Sequence, residues 1–384
     1  MTLDLRPGAP YTVVVVDDSP VQRRFLRFAL EADPDASVVG EARNGKEAVA
    51  LVEQLRPSVV LMDLDLPVMS GIEAIERIMA STPTPILVCS GFVEGVARSN
   101  ALAALAAGAV DVLAKPGPSD ATRMDQYADV LRKRAKVAAR VRVIRHPRGR
   151  LRPGGVEEPR RPLTATPTRR PLAAEVLVPC QPTGRDVALI AIGASTGGPQ
   201  ALLTLLAALP AELEQAVLVV QHMAEGFIPG LASWLDGLVP LPVVVGESGR
   251  RLARGTVTIA PSGGNLLVQD DRLRTLCTPP EPGQFHVPGI DATFRSIAGA
   301  LGPAACGVLL TGMGRDGAAG LLEMRQRGAV TVGQDEASCA VYGMPAAAAA
   351  AGAVEHVLPL DQIAATILTV VERPDDRTTA ARPG

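Results

Sequence analysis

The sequence is poor in the residues that build several common kinds of site. Aromatic residues make up 3% of its 384 residues, which argues against stacking platforms for nucleic-acid bases. It has five widely spaced cysteines and no C-x-x-C pair, so we expect neither a disulfide framework nor a zinc site. No apolar run reaches the roughly 18 residues of a membrane-spanning helix, and no signal peptide is evident. We therefore expect a cytoplasmic protein without direct membrane insertion.

The net charge is small but unevenly distributed. Residues 1–118 carry a net charge of −5, residues 119–186 one of +9, and residues 187–384 one of −6, which sum to −2. A near-neutral total argues against nucleic-acid binding through bulk electrostatics. The length also exceeds that of one ordinary domain, so we expect two acidic domains around a basic middle segment.

The boundaries follow from these composition shifts. We predict a first domain over 1–118, with a last helix extending to about residue 145, and a second domain over 187–372. Residues 146–186 are predicted to form a linker rich in arginine and proline, because proline lacks an amide donor and disfavours helix. Its arginines fit a solvated linker better than an electrostatic contact with an acidic neighbour. Residues 373–384 are predicted to be a disordered tail.

The first domain alternates short apolar runs with helical patterns. Five such runs are mostly apolar, and continuous apolar runs are typical of parallel strands covered on both faces. Right-handed crossovers then predict a flavodoxin-like, doubly wound α/β fold with five parallel strands. The alternative is an ordinary flavodoxin-like sheet in which the polar residues at the strand ends form no functional site.

Polar residues stand at the carboxyl ends of these predicted strands. They are Asp17, Asp18, Asp63, Ser90 and Lys115. In open α/β sheets the ligand crevice lies at those ends. Converging carboxylates repel one another unless a cation joins them, and oxygen ligands favour Mg²⁺. A lysine and a hydroxyl opposite could hold phosphoryl oxygens.

The segments VVVVDDSP, LMDLDLPVMSG, LVCSG and LAKP together resemble the receiver domain of response regulators over residues 11–118. The resemblance implies that Asp63 accepts a phosphoryl group from a histidine kinase. It also implies that the two aspartates after the first strand, with Asp63 and the backbone carbonyl of Asp65, hold Mg²⁺. Ser90 and Lys115 would contact the phosphoryl group.

The second domain begins with a strand that enters a glycine-rich turn. Gly193, Ser195 and Gly197 satisfy the G-x-S-x-G pattern of a nucleophilic serine at a strand-to-helix turn. Amides at the following helix start could stabilise an oxyanion. A glycine-rich loop at a helix start could instead hold a phosphate.

Two arrangements of base and acid are compatible with the sequence. His222 and Asp316 follow predicted strands and would meet Ser195 at one edge of a sheet. His356, with Asp316 or Asp291 as its acid, would reproduce the chain order of α/β-hydrolases. Placement at strand ends favours His222. Asp291 starts a helical pattern, where its default role is an N-cap.

Residues 187–372 resemble the catalytic domain of the chemotaxis protein-glutamate methylesterase (CheB) family. The matching stretches are AIGASTGGP, VVQHM, TIAPSG, GIDATFRS, LLTGMGRDGAAG and GQDEASCAVYGMP. The resemblance implies a doubly wound α/β esterase domain with a β-hairpin insertion and a triad of Ser195, His222 and Asp316. Residues implied to neighbour the active site are Thr196, Gly197, Gly198, His286 and Met313.

A receiver joined to this domain implies a phosphorylation-regulated serine hydrolase in a two-component chemosensory pathway. Its partners would be the histidine kinase of the chemosensory array and methyl-accepting chemoreceptors, whose glutamate methyl esters it hydrolyses and whose glutamines it deamidates. The ester chemistry needs no cofactor. A DNA-binding output is disfavoured by the acidic second domain, and an inactive scaffold by the intact triad.

Overall fold

The computed structural model describes residues 9–91, 96–116, 121–141, 143, 186–224, 226–284 and 286–371. Side chains are described for these residues except 96–99 and 121–123. The predicted linker, apart from Asp186, and the predicted tail lie outside the described residues.

The first unit is a five-stranded parallel sheet with helices between its strands. Its elements in chain order are β1 (Tyr11–Val16), α1 (Pro20–Glu31), β2 (Ala36–Ala42), α2 (Gly45–Leu55), β3 (Val59–Met62), α3 (Gly71–Ser81), β4 (Ile86–Gly91), α4 (Val96–Ala106), β5 (Asp111–Lys115) and α5 (Ala121–Ala138). The strand order is β2-β1-β3-β4-β5, and every pairing is parallel. The predicted doubly wound α/β fold is confirmed.

Helix starts in this unit are fixed by short polar side chains. Ser19, Asn44 and Ser70 each accept a hydrogen bond from a backbone amide in the first turn of the helix that follows. These caps satisfy amides that have no partner within the helix. Each helix therefore begins just beyond the carboxyl end of a strand, at the edge where the polar residues lie.

The last helix of the first unit is shorter than the sequence pattern predicts. α5 ends at Ala138, and beyond it the amides of Arg140 and Val141 donate to carbonyls three residues back, those of Val137 and Ala138. Val141, just beyond the helix, is buried. The amphipathic spacing predicts a longer helix and does not locate this end.

The second unit contains a seven-stranded parallel sheet. Its elements are β6 (Leu189–Ala194), α6 (Gly198–Ala207), β7 (Ala216–Gln221), α7 (Ile228–Asp236), β8 (Val243–Val245), β9 (Val257–Ile259), β10 (Asn265–Val268), β11 (Thr275–Thr278), α8 (Ile290–Leu301), β12 (Ala305–Leu309), α9 (Ala318–Gln326), β13 (Val330–Gln334), α10 (Met344–Ala350), β14 (His356–Leu358) and α11 (Leu360–Val371). The strand order is β14-β13-β12-β6-β7-β9-β8. β6 and β7 lie side by side near the centre.

The expected hairpin insertion is present. β10 and β11 pair in antiparallel fashion outside the main sheet. The hairpin packs against α8, where the Thr293 hydroxyl donates to the carbonyl of Leu266 and the Ser296 hydroxyl accepts from the amide of Val268. These bonds place the start of α8 beside the carboxyl edge of the large sheet.

The two units are in direct contact. α4 of the first unit packs against α6 and α7 of the second, and one continuous cluster of buried apolar residues includes members of both. Leu102 is only 6% exposed and lies so close to Gly230 that a Cβ atom added there would be 2.3 Å from Leu102 Cδ1. The Gln200 side chain donates to the carbonyl of Leu105 across the same contact.

No helix in the described part of the chain combines the length and apolar character needed to cross a membrane.

Candidate active site and phosphorylation site

Three carboxylates meet at the carboxyl edge of the first sheet. Asp17 and Asp18 follow β1, Asp63 follows β3, and one oxygen of each lies within 4.8 Å of the others. The predicted convergence of these residues at one edge is what the structure shows. Asp17 and Asp63 are buried, whereas Asp18 is exposed.

Lys115, the last residue of β5, joins two of these carboxylates. Its Nζ lies 2.7 Å from Asp17 Oδ2 and 2.6 Å from Asp63 Oδ2. Burial raises the pKa of Asp63 above its ordinary value, although Lys115 opposes that shift. Burial would lower the pKa of Lys115, but the two carboxylates raise it, so the ammonium stays charged.

The remaining predicted residues of the first unit lie around this cluster. Ser90 is buried in β4, next to the strand that carries Asp63. Asp65 has an exposed side chain in the loop that follows β3. That loop approaches α3 closely, because a Cβ atom at Gly71 would lie 2.1 Å from the carbonyl oxygen of Asp63. A glycine at this position therefore fixes the path of the loop.

Ser195 occupies a tight turn between β6 and α6. Its side chain is 9% exposed, and its amide donates to the carbonyl of Thr311, which follows β12. Gly197 has φ +76°, in the left-handed region, and a Cβ atom there would also lie 2.4 Å from Ala340 Cβ. Glycine adopts this backbone conformation without strain and also leaves room for the Ala340 side chain. The turn therefore places Ser195 between the carboxyl end of β6 and the start of α6.

His222 and Asp316 are in direct contact at the same edge. His222 follows β7, and its Nε2 lies 2.8 Å from Asp316 Oδ2. The other ring nitrogen, Nδ1, is buried and has no hydrogen-bond partner among the described residues. The carboxylate thus engages one side of the ring and leaves the opposite nitrogen available to a further group.

Asp316 is held in place by backbone amides. Its Oδ2 accepts from Ile290 at 2.8 Å, and its Oδ1 accepts from Asp291 at 2.9 Å and from Gly317 at 3.0 Å. Burial alone would raise the pKa of Asp316, but His222 and these amides lower it below its ordinary value. The carboxylate is therefore ionised at neutral pH.

The expected N-cap role of Asp291 is wrong. Gly289 occupies the N-cap position of α8, and the Asp291 carboxylate instead accepts from the amide of Gly320 in α9. Asp316 supplies the carboxylate that bonds to the first amides of α8. A side chain from a distant loop has replaced the local cap, which the local sequence could not reveal.

His286 stacks on His222. The ring centroids are 4.5 Å apart and the planes differ by 8°. Burial lowers the pKa of His286, and the nearby His222 and Arg134 lower it further, with Asp316 opposing them. His286 is therefore neutral at pH 7 and covers one face of His222 as a flat, uncharged ring.

A cavity of about 450 Å³ lies between the two units beside this site. Met313 and Tyr342 line it from the second unit, and Val137 and Arg140 line it from α5 of the first. Met313 belongs to a loop that approaches the Ser195 turn, since a Cβ atom at Gly312 would lie 2.7 Å from Ser195 Cβ. The first unit therefore forms one wall of the space next to Ser195.

His356 lies apart from these residues. It opens β14, an edge strand separated from β6 by β13 and β12. Asp316 contacts His222, and Asp291 contacts α9, so neither acid is directed to His356. The geometry favours the arrangement of Ser195, His222 and Asp316 over the α/β-hydrolase chain order.

Residues that the sequence pattern missed also contribute to the site. Gln221 and Thr311 bond to the backbone of the Ser195 turn, and Asp111 of β5 lies with its Oδ2 3.4 Å from Thr196 Oγ1. Gln221 could have been identified from the sequence, because it is a polar residue at the end of an otherwise apolar strand. Asp111 is brought to Thr196 by packing between the units, which leaves no local signature.

Comparison with known proteins assigns both units. Residues 190–367 match the family model for CheB methylesterase, and residues 13–125 match that for the response regulator receiver domain. A protein-glutamate methylesterase/protein-glutamine glutaminase of Paramagnetospirillum magneticum is 42% identical over 94% of this chain and 96% of its own. A protein-glutamate methylesterase/protein-glutamine glutaminase of Agrobacterium fabrum is 40% identical over 97% of this chain and 98% of its own.

Two solved structures are similar to parts of the chain. The CheB methylesterase catalytic domain of Thermotoga maritima is 31% identical, with a TM-score of 0.46, over 47% of this chain and 97% of its own. The response regulator domain of Thermotoga maritima CheB is 37% identical, with a TM-score of 0.32, over 35% of this chain and 98% of its own.

The fold and the matched models define a response regulator receiver domain joined to a methylesterase domain of α/β architecture. The chain belongs to the protein-glutamate methylesterase/protein-glutamine glutaminase family. The recognition made from the motifs is thereby confirmed, and the DNA-binding alternative has no support.

The Asp316 bonds predict a pH-dependent effect on stability. Replacing Asp316 with Asn should cost about 1–3 kcal/mol of unfolding free energy at pH 7, because an amide cannot serve all of the donors that the carboxylate satisfies. A carboxylate with a lowered folded-state pKa stabilises the fold above its unfolded pKa of about 3.9, and that contribution is lost as the pH falls through the folded value.

The difference between wild type and Asp316→Asn should therefore be full at pH 6–7 and shrink below about pH 4. Urea unfolding at a series of pH values measures it. The exposed Asp361→Asn, in the first turn of α11, is the control. A difference that stays constant down to pH 3 would contradict the proposed charge on Asp316.

Proposed function

We propose that this protein is a phosphorylation-regulated methylesterase that hydrolyses γ-methyl esters of glutamate on chemoreceptors. The carrying observation is the contact of His222 with Asp316 beside a glycine-flanked Ser195 at one sheet edge. The relatives' names supply the substrate class, a glutamate ester or a glutamine side chain of a protein.

In the proposed mechanism Ser195 Oγ attacks the ester carbonyl carbon, and His222 takes the hydroxyl proton. The nitrogen free to do so is Nδ1, since Nε2 bonds to Asp316. Asp316 fixes the orientation of the ring and stabilises the imidazolium. His222 then donates the proton to the departing methoxide, which leaves as methanol. Water, activated by His222, hydrolyses the acyl-serine and releases the glutamate.

The same site accounts for glutamine deamidation. The Ser195 attack is identical, and the proton from His222 goes to the leaving nitrogen, so ammonia replaces methanol. The amides of Thr196 and Gly197 are the proposed donors to the oxyanion, because they stand at the start of α6 and those of Ser195 and Gly198 already donate to the carbonyls of Thr311 and Ser195. No cofactor takes part in these steps.

We propose a receiver domain over 1–118 and a catalytic domain over 187–372. The receiver would accept a phosphoryl group at Asp63 from a histidine kinase of a chemosensory array. Ser90 and Lys115 would contact the phosphoryl oxygens. Support comes from the receiver match over residues 13–125 and from the position of Lys115 against Asp63.

The residues at this edge fit a hydrated Mg²⁺ ion. Asp17, Asp18 and Asp63 offer only oxygen ligands, close enough to share one cation. The backbone carbonyl of Asp65 is the fourth proposed protein ligand. A bound Mg²⁺ would neutralise charge between the carboxylates and the incoming phosphoryl group.

Regulation is proposed to act through the contact between the two units. In this arrangement Asp111 of the receiver lies beside Thr196, and α5 residues wall the cavity next to the nucleophile turn. Such a position restricts the approach of a receptor helix. Phosphorylation replaces the single negative charge of Asp63 with nearly two, beside the two remaining carboxylates, and the resulting shift of β4 and β5 would weaken the contact.

The proposed nucleophile has a direct test. Ser195→Ala should lower kcat for methanol release from a methylated receptor by about 10⁴–10⁶-fold, because no other group forms the acyl intermediate. His356→Ala should retain nearly wild-type kcat, since His356 lies on an edge strand away from the site. Substantial activity in Ser195→Ala would refute the mechanism, and an inactive wild type would support the scaffold alternative.

The proposed Mg²⁺ ligands predict a difference between two aspartates. Asp17→Asn should weaken Mg²⁺ binding to the full chain by at least about tenfold in isothermal titration calorimetry, because a buried ligand loses its charge. Asp65→Asn is the matched control. Only its backbone carbonyl is a proposed ligand, so its Kd should stay within about twofold. Equal weakening in both variants would contradict this ligand set.

The contact between the units can be disturbed from the catalytic side. Gly230→Ala places a methyl group against Leu102, so the unphosphorylated enzyme should gain activity, by about two- to tenfold. Adding Leu102→Ala should restore the low rate by making room for that methyl group.

Gly299→Ala is the control, because this α8 glycine has nothing within 4 Å of an added Cβ atom. Methanol release with and without a small-molecule phosphodonor is the measurement. If Gly230→Ala left the basal rate unchanged, inhibition through this contact would be excluded.

A further inference from the structure

Gln221 links the backbone of the nucleophile to that of the base. It is the last residue of β7, is 1% exposed, and lies opposite Ala194 at the end of β6. Its side-chain Nε2 donates to the carbonyl oxygen of Ser195 at 2.9 Å and to that of His222 at 2.9 Å. Both hydrogens of one amide group are therefore used, one on each partner.

The other end of the same amide is unsatisfied. Gln221 Oε1 is buried and has no hydrogen-bond partner among the described residues. A Cβ atom at Gly198 would lie 2.0 Å from Oε1, so the first residue of α6 has no side chain and leaves room for it. A buried acceptor without a donor is unfavourable, and an apolar side chain of similar length would avoid that cost. The amide must contribute something that an apolar side chain could not.

The Gln221 amide connects the residues that follow β6 and β7 through two hydrogen bonds. The Ser195 carbonyl also accepts from the amide of Gly198 at 2.8 Å, which closes the turn. The His222 amide donates to the carbonyl of Ala194, which pairs the strands but does not reach Ser195. The Gln221 side chain bonds to the Ser195 turn and to the carbonyl of His222 together.

We propose that Gln221 is a positioning residue, which sets the separation of Ser195 from His222 in the reaction. This rests on the proposed function, because it assumes that the serine reacts and that the histidine moves its proton. Gln221 lies beneath the turn, so it acts through the two carbonyls rather than by contact with substrate. Small displacements of a nucleophile from its base reduce the rate of reaction while leaving substrate affinity largely unchanged.

The experiment uses two variants of the full-length protein. Gln221→Glu keeps the shape and removes both donors, and Gln221→Met keeps the length and removes the polar atoms. Both should lower kcat for methanol release by about 10–100-fold with KM within about twofold, because the receptor-binding surface is unchanged. The thermal midpoint is recorded for each, so that kcat is compared at a temperature where each is folded.

Thr331→Val is the matched control for lost stability. Thr331 is fully buried in β13, and its hydroxyl accepts from the amide of Glu355 on the side remote from the active-site edge. This change should lower the thermal midpoint while leaving kcat unchanged. A kcat in the Gln221 variants within twofold of wild type would overturn the proposal. So would a loss of kcat in Thr331→Val that matches theirs.

A second measurement separates this proposal from the proposed function. A small fluorophosphonate labels Ser195 without any receptor, and its labelling rate depends on the alignment of serine and histidine. The rate should fall about 10–100-fold in both Gln221 variants and stay at the wild-type value in Thr331→Val. A wild type that is labelled but releases no methanol would contradict the substrate assignment alone. Unchanged labelling in the Gln221 variants would overturn the positioning role.

Discussion

Parallel strands buried on both faces impose one constraint on this protein, and both sites depend on it. Such strands admit almost no polar side chain along their length, so reactive groups collect where the strands end. β1, β3 and β5 bring Asp17, Asp63 and Lys115 together, and β6 and β7 do the same for Ser195 and His222. The edge of each sheet is therefore rigid where the chemistry needs rigidity.

The two edges stabilise their buried charges by different means. At the first, a single ammonium lies between two carboxylates, and the pKa of Asp63 remains raised because burial outweighs that contact. At the second, Asp316 accepts from three backbone amides as well as from His222, and its pKa is lowered. The first arrangement has capacity for an added cation, whereas the second is satisfied without one.

Much of this could be predicted from local sequence patterns. Mostly apolar runs indicate the strands, and the polar residue after each run indicates the sheet edge, which is why the sequence alone selects Ser195, His222 and Asp316 as candidates. The errors involve partners distant in sequence. Asp291 is expected to cap its own helix, yet Asp316 bonds to those amides, and α5 ends at Ala138 rather than near residue 145. Local periodicity carries no information about such contacts.

The close packing of Leu102 of α4 against Gly230 of α7 has a consequence for binding by other proteins. Leu102 belongs to the same apolar cluster as core residues of both units. A surface cannot be buried against its own chain and be occupied by another molecule at the same time. A protein that recognised this face of α4 would thus bind only the separated form, and would draw the population toward it by mass action. The contact between the units and any such partner would therefore compete for the same surface of α4, and the outcome would depend on the concentration of the partner.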